Sequence, residues 1–504
     1  MNRKRTTYNL IFGILSQVVS ILLGAILPRL FLTNYGSEVN GLLSSVTQIY
    51  AYIALLEAGI GTAALQALYR TIGQSDRKGT NGVLSATNRY YKRTGCIYCG
   101  CILLFAVIYP LLIQSEIPKE TIALVVVFNG LGNAVNFLFH GKYKLLLQAE
   151  GKNYIVTNLN TIIHVLTNVA KICAISMGYD VVAVQVITFV VSLAQMVYIC
   201  LYIRKNYGWL DLSVQPDYKA IAQSKNVLVH QISGLVFNNT DTVILTFACG
   251  LKVVSVYSMY TLLFSMISTF LNTVTDSVTF VLGQTYHKDR ERYVRYLDLY
   301  ELCYMALVFA LYAVAYCFIL PFLGIYTRGV TDVNYIDPWL PPLFISTYLL
   351  SCGRKSANLT INFAEHFKLT QGRSMGEAVI NVSVSLACVF RFGIYGVLAG
   401  TIAALFYRTN DMILYANRKI LGRSPWKTYR RWIVNLGLFV GVTTGGKWIL
   451  SHIILDGYFK LLLWAAVFCV AFLLLFAGAI ALTERDTFQY VKGLVRSYIK
   501  RKRT

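Results

Sequence analysis

The chain has 504 residues, of which 56% are hydrophobic and only 14% charged, yet its formal net charge is +23. An ordinary soluble domain is about 25% charged, so there is too little polar surface here to solvate a globule. Apolar stretches of roughly 20 residues, the length that crosses a hydrocarbon core, fill most of the sequence. Backbone amides in lipid must be paired internally, which leaves helix bundles and closed barrels, and the continuously apolar runs select helices.

The N-terminus, Met1-Asn-Arg-Lys-Arg5, precedes an apolar stretch from Leu10 to Leu32 that begins like a secretory signal. It is too long for a signal core and lacks a small-residue cleavage site, so it reads as a retained first helix. Hydropathy predicts about fourteen spans. The first seven lie near 9–33, 40–68, 95–114, 121–140, 154–177, 181–203 and 226–249; the others lie near 254–283, 299–324, 342–364, 375–391, 394–416, 432–453 and 458–482. The eleven cysteines are scattered through apolar runs. Cys96, Cys99 and Cys101 have CxxC spacing but no second ligand pair or nearby His, so packing is their expected role, and no metal or cofactor is expected.

Of the 46 basic residues, about 35 fall in the two tails and the alternate loops 70–93, 142–152, 204–225, 284–295, 365–373 and 418–431. Short loops that retain Lys and Arg mark the cytoplasmic side, which places both termini there and requires an even number of spans. The same distribution assigns the net charge to anionic headgroups and topology rather than to nucleic acid. The tail Lys500-Arg-Lys-Arg503 is a membrane-surface anchor on this reading. Many of the 35 tyrosines sit at span ends as interfacial belt residues.

Two motifs resemble catalytic or binding signatures only superficially. Gly59-Ile-Gly61-Thr-Ala-Ala64 has dinucleotide-loop spacing but no preceding strand, and small residues at this spacing suit close helix packing. Gly441 to Lys447 lacks the Ser or Thr of a phosphate loop because Trp448 follows. The longest external loop, Tyr326 to Pro342, carries Asp332 and Asp337 but is too small for a membrane glycosyltransferase or polymerase site.

Ionisable residues inside spans cost about 2.5–3.5 kcal/mol each at a helix centre and are functional candidates. They are Arg29, Glu57, Lys171, Asp241, Asp276, Arg354, Lys355, Arg408 and Asp411. Arg354 and Lys355 fall near the middle of their span. Two adjacent cations there pair with acids on other helices or line an aqueous cavity that receives an anion; the cavity is the expectation for Arg354, and Lys355 lies about 100° around the helix. Glu57 is able to neutralise Arg354 or to bind a coupling cation. Arg408 and Asp411, one turn apart, are able to satisfy each other.

Gly36-Ser-Glu-Val39, followed by Ser44 and Ser45, loosely matches Gly250-Leu-Lys-Val253 with Ser255 and Ser258, an internal offset of 214 residues. This divides the chain into six, six and two spans: lobes 1–204 and 205–418, extra helices 419–483, and a basic tail 484–504.

The sequence resembles the polysaccharide transport proteins of the multidrug/oligosaccharidyl-lipid/polysaccharide flippase superfamily, which includes Wzx-type flippases. The resemblance covers nearly the whole chain. It is most specific in Leu10-Ile-Phe-Gly-Ile-Leu-Ser-Gln17, Pro28-Arg-Leu30, Tyr35-Gly-Ser-Glu-Val-Asn-Gly-Leu-Leu43 and Leu55-Leu-Glu-Ala-Gly-Ile-Gly61, and again from Arg354 through His366-Phe-Lys-Leu-Thr370 to Glu377 and Asn381. Ser356 stands where the family pattern has Pro, and Glu365 where it has Gly. The resemblance implies an all-α, two-lobed bundle of about 14 transmembrane helices in the bacterial cytoplasmic membrane. It implies a secondary transporter, not an enzyme, that flips an undecaprenyl-diphosphate-linked oligosaccharide, a capsule, O-antigen or other surface polysaccharide precursor, by alternating access. Arg354, Lys355 and Arg29 would then hold the diphosphate, while Glu57, Asp241, Asp276 and Glu377 are cavity acids or coupling candidates. The expected partners are this lipid-linked substrate, membrane lipids and polysaccharide assembly machinery.

Two other readings compete. A drug or cation antiporter of the same superfamily would carry an acid-dominated cavity, whereas the midplane pair here is basic. A membrane glycosyltransferase or a scaffold of a polysaccharide assembly complex is the alternative from another class; the short external loops disfavour the enzyme.

Overall fold

The computed structural model describes the backbone of residues 3–54, 60–221 and 225–484, and their side chains except at 3–22, 225–231, 233, 238 and 367. Glu57, the beginning of the Gly59 motif and the Lys500 to Arg503 tail lie outside the described residues. Within them every regular element is helical, with no strand.

The chain runs through α1 (Arg3–Ile53), α2 (Ile60–Gly73), α3 (Arg77–Leu112), α4 (Lys119–Val135), a π-turn (Asn136–His140), α5 (Gly141–Ala149), α6 (Asn153–Ser176), α7 (Val181–Asn206) and α8 (Lys225–Cys249). It continues through α9 (Leu251–Lys288), α10 (Arg290–Tyr326), α11 (Leu340–Gly353), α12 (Lys355–Phe363), α13 (Phe367–Phe392), α14 (Ile394–Tyr415), α15 (Trp426–Leu450) and α16 (Tyr458–Thr483). Nine helical stretches among the described residues are long and apolar enough to cross a membrane, so the chain is a multi-pass membrane protein. Two predicted spans are met by more than one helical element among the described residues. The stretch 40–68 is shared between the second half of α1 and α2, and 342–364 is interrupted at Arg354.

Contacts divide the chain into two compact units, Met1–Val256 with Gly329–Val333, and Tyr257–Arg328 with Asn334–Thr504. In the first, α1 bends at Gly36, whose φ of +82° only glycine adopts without strain. The bend frees the backbone amides of a new helical start. Asp332 satisfies one of them from a distant loop: its Oδ2 accepts from the Ser37 amide at 2.8 Å and its Oδ1 from the Ser37 hydroxyl at 2.6 Å. Gly250, its counterpart in the internal repeat, also has φ +82° and also introduces a helix.

Beyond the bend, small and hydroxyl residues let helices approach closely, as expected where lipid removes the hydrophobic drive for association. A Cβ placed on Gly41 would lie 1.9 Å from the Leu251 carbonyl oxygen. Asn40 donates to Ser255 at 2.8 Å, and both Thr246 and Tyr109 donate to Ser45 at 2.8 Å. The apolar cluster beneath this seam includes Leu42, Val46, Tyr98, Val125 and Leu251.

In the second unit α10 is the most enclosed span, and aromatic residues fill the space around it. Phe344 stacks on Tyr260 at 5.3 Å, and Phe309 meets Trp432 edge-on at 5.4 Å. Helices α13 and α14 form a tight antiparallel pair across Gly393 (φ +54°). Their close crossing depends on Gly396 and Gly400, where an added Cβ would lie 2.6 Å from the Cys388 backbone and 2.2 Å from Ser385 Oγ.

Gly41→Val is expected to destabilise the protein by about 1–3 kcal/mol through overpacking, lowering its thermal unfolding temperature in detergent. Gly437→Ala, which meets nothing within 4 Å, is the control and should leave that temperature unchanged or slightly raised.

Candidate functional site

The α11–α12 interruption carries a charged cluster of the second unit. At a regular helical position the Arg354 amide would bond to Leu350; instead it bonds to Cys352. The Leu350 carbonyl is satisfied by Thr409 Oγ1 of α14 at 3.0 Å. The break thus docks onto α14, and Gly353 allows it because Trp432 occupies the space a Cβ would need.

Arg354 leaves this break toward the α13–α14 hairpin. Its Nη1 lies 2.5 Å from Glu377 Oε1. The other oxygen of Glu377 is 3.7 Å from Arg408 Nε, and Arg408 Nη1 is 2.6 Å from Asp411 Oδ2. Asp411 Oδ1 is 2.6 Å from Arg373 Nη1. The guanidinium of Arg373 lies over the Tyr415 ring at 4.6 Å, and Tyr415 bonds His366 Nδ1 at 3.0 Å. Three guanidinium groups and two carboxylates therefore form one chain with a formal net charge of +1. Its centre is closed and its ends are open: the side-chain exposure is 4% for Arg408 and 8% for Glu377, but 18% for Arg354 and 38% for Arg373.

Of the cations selected from sequence, Arg354 has an acidic partner, and that partner is Glu377. Arg408 and Asp411 pair with each other as their spacing allows. Lys355 is half-buried, without a salt bridge among the described residues, and Asp276 is exposed on α9. Arg29 and Asp241 belong to the first unit. Asp241 is buried on α8, next to Thr240, whose hydroxyl bonds Tyr52 at 2.5 Å. Lys171 is half-buried on α6. No group of three His, Cys, Asp or Glu side chains among the described residues is arranged to hold a metal ion.

Sequence reasoning missed two features because positive charge in loops was assigned to headgroups. Arg373 is one. The other is a clamp between α10, α15 and the end of α16. Asp298 receives Arg423 at 2.6 Å and Lys427 at 2.8 Å; Glu301 lies 3.2 Å from Arg431, which grips Glu484 with two bonds of 2.7 Å. The signal was present as Asp298 with Glu301, and Lys427 with Arg431, each about one helical turn apart. This clamp fastens the last two helices to the most enclosed helix of the unit. The Glu365 departure also acquires a physical meaning: its φ is +56°, the left-handed region that costs a non-glycine residue about 1–2 kcal/mol.

No family model matches the chain, and no curated protein matches its sequence. Solved structures match its fold. One is an inward-facing multidrug resistance MATE family transporter of the MOP superfamily, 15% identical over 80% of this chain and 94% of that one, with a TM-score of 0.62. Lipid II flippase MurJ in an inward closed conformation is 12% identical over 94% of this chain and 98% of its own, with a TM-score of 0.66. A MOP superfamily transporter from Pyrococcus furiosus, described as having a binding pocket of reverse polarity, is 14% identical over 84% and 97%, with a TM-score of 0.53. The chain therefore has the fold of the MOP superfamily transporters.

Glu484→Ala removes the two-bond partner of Arg431 while Glu301 at 3.2 Å and Asp298 at 3.4 Å remain, and is expected to lower stability by about 1–3 kcal/mol, read as earlier thermal unfolding. Glu365→Gly should act oppositely, raising stability by about 1 kcal/mol by relieving the left-handed strain; the same melt checks it.

Proposed function

We propose that this protein is a flippase that moves an undecaprenyl-diphosphate-linked oligosaccharide across the bacterial cytoplasmic membrane by alternating access, without enzymatic chemistry. The observation that carries the proposal is the net-positive chain of Arg354, Glu377, Arg408, Asp411 and Arg373 at the α11–α12 interruption, in a stretch that hydropathy reads as a span. A diphosphate has about two negative charges and many kcal/mol of hydration to lose on entering hydrocarbon. Guanidinium groups offer forked hydrogen bonds matched to phosphate oxygens. Arg354 and Lys355 lower that barrier, and Arg29 is a further candidate for a phosphate contact, while the glycan stays in water and the isoprenoid tail stays in lipid. Asp241, Asp276 and Glu57 are cavity acids or coupling sites.

The fold supports this reading, since it is shared with a protein described as a lipid II flippase. The lobes 1–204 and 205–418 are the alternating bodies, helices 419–483 form a lipid-facing addition, and both termini lie in the cytoplasm beside the polysaccharide assembly machinery. A second reading, a cation antiporter, draws on the buried carboxylate of Asp241 and on the MATE-like fold.

In vesicles reconstituted with purified protein and lipid-linked oligosaccharide, Arg354→Ala is expected to reduce translocation at least about 100-fold while the protein still inserts. The paired variant Arg354→Gln/Glu377→Gln, which leaves no orphaned charge, should fold normally and be equally inactive. Wild-type rates in these variants, or transport of an organic cation with no translocation of the glycolipid, would overturn the proposal. Translocation should also proceed without ATP and respond to an imposed ion gradient; activity that disappears only when ATP is withdrawn would contradict a secondary transporter.

A further inference from the structure

We infer that Glu377 is a built-in stand-in for the substrate's phosphate: its carboxylate occupies the guanidinium pair while no substrate is bound, and an incoming diphosphate displaces it. The inference rests on the anionic-substrate reading above, and adds to it a way of binding without trapping.

The geometry distinguishes the two arginines. Glu377 is held tightly by Arg354, at 2.5 Å, and loosely by Arg408, at 3.7 Å. Arg408 has a second carboxylate at 2.6 Å on its own helix, Asp411, which Arg373 secures in turn at 2.6 Å. Arg408 therefore keeps its place if Glu377 withdraws. Arg354 is the more exposed of the two guanidinium groups that share Glu377 and projects from a helix break rather than from a continuous helix. The group that is tightly paired is thus also the one that a new anion can approach.

Charge follows the same logic. With Glu377 in place the chain has a net charge of +1; with Glu377 withdrawn, the three arginines and Asp411 leave +2, which matches the approximate charge of a diphosphate. Buried guanidinium groups with no anion would be costly, so the stand-in keeps the empty site stable. It also makes binding an exchange: apparent affinity falls by the fraction of time the site is open. That reduction suits a carrier, which must release its cargo on the far side.

The test uses full-length protein in lipid nanodiscs, with inorganic pyrophosphate as the probe. Glu377→Gln is expected to bind pyrophosphate at least about tenfold more tightly than wild type, to release it more slowly, and to translocate glycolipid more slowly despite tighter binding. Arg354→Gln should lose pyrophosphate binding. Loss of binding in Arg354→Gln together with unchanged or weaker binding in Glu377→Gln would overturn the stand-in role while leaving the anionic site intact. Wild-type binding in Arg354→Gln would overturn the site itself. Because Glu377→Gln removes a counterion and is at risk of misfolding, the exchange is also read in wild-type protein carrying 13C-labelled glutamate. Pyrophosphate should shift a glutamate carboxylate band in the infrared difference spectrum, and Arg354→Gln should show no such shift. Bound pyrophosphate with an unperturbed carboxylate region would overturn the exchange.

Discussion

A charge carried into a membrane-spanning helix must find a partner, and much of this protein's second unit is arranged around that requirement. Helix α11 ends at Gly353 and α12 begins at Lys355, so Arg354 projects from a break, whereas its neighbour Arg408 is carried by the continuous α14. The broken turn then needs a donor for the Leu350 carbonyl, supplied by Thr409, while the guanidinium needs an anion, supplied by Glu377. Both partners come from the α13–α14 pair, whose close crossing depends on Gly396 and Gly400 having no side chain. One electrostatic demand thereby links a helix break, a glycine-lined crossing and a five-residue charge chain.

The first unit solves a related problem with hydrogen bonds in place of ion pairs. The bend at Gly36 exposes amides that Asp332 caps, and the close approach at Gly41 brings Asn40, Ser45, Ser255 and Thr246 into one bonded seam. Interhelical hydrogen bonds in membrane proteins are each worth only about 0.6 kcal/mol on average, so their value here lies in fixing register where apolar packing alone discriminates poorly. Gly36 and Gly250, which stand at corresponding places in the faint internal repeat, share a φ of +82°, and each introduces a helix.

The two charge clusters of the second unit differ in what they can do. At the α10–α15–α16 clamp, Arg431 and Glu484 satisfy each other through two bonds in a nearly closed setting, and the result is attachment. The Arg354 chain differs in where it sits, at the α11–α12 break with a partly exposed guanidinium at each end.

Apolar runs of membrane-spanning length establish an all-helical membrane protein from sequence, because lipid permits few other solutions for the backbone. The sequence also exposes Arg354, Arg408 and Asp411 as charges in apolar surroundings, and Glu365 as a departure from a glycine pattern. It does not reveal that Arg354 ends one helix and precedes another, since hydropathy is blind to a break within an apolar run. Nor could it show that Glu377 pairs with Arg354, or distinguish the loop cations Arg373, Arg423 and Lys427 from headgroup contacts. Those assignments depend on which helices cross and how closely. Composition and periodicity determined the solvent in which this chain folds; the pairing of its buried charges was decided only when glycine-permitted crossings brought distant helices within hydrogen-bond reach.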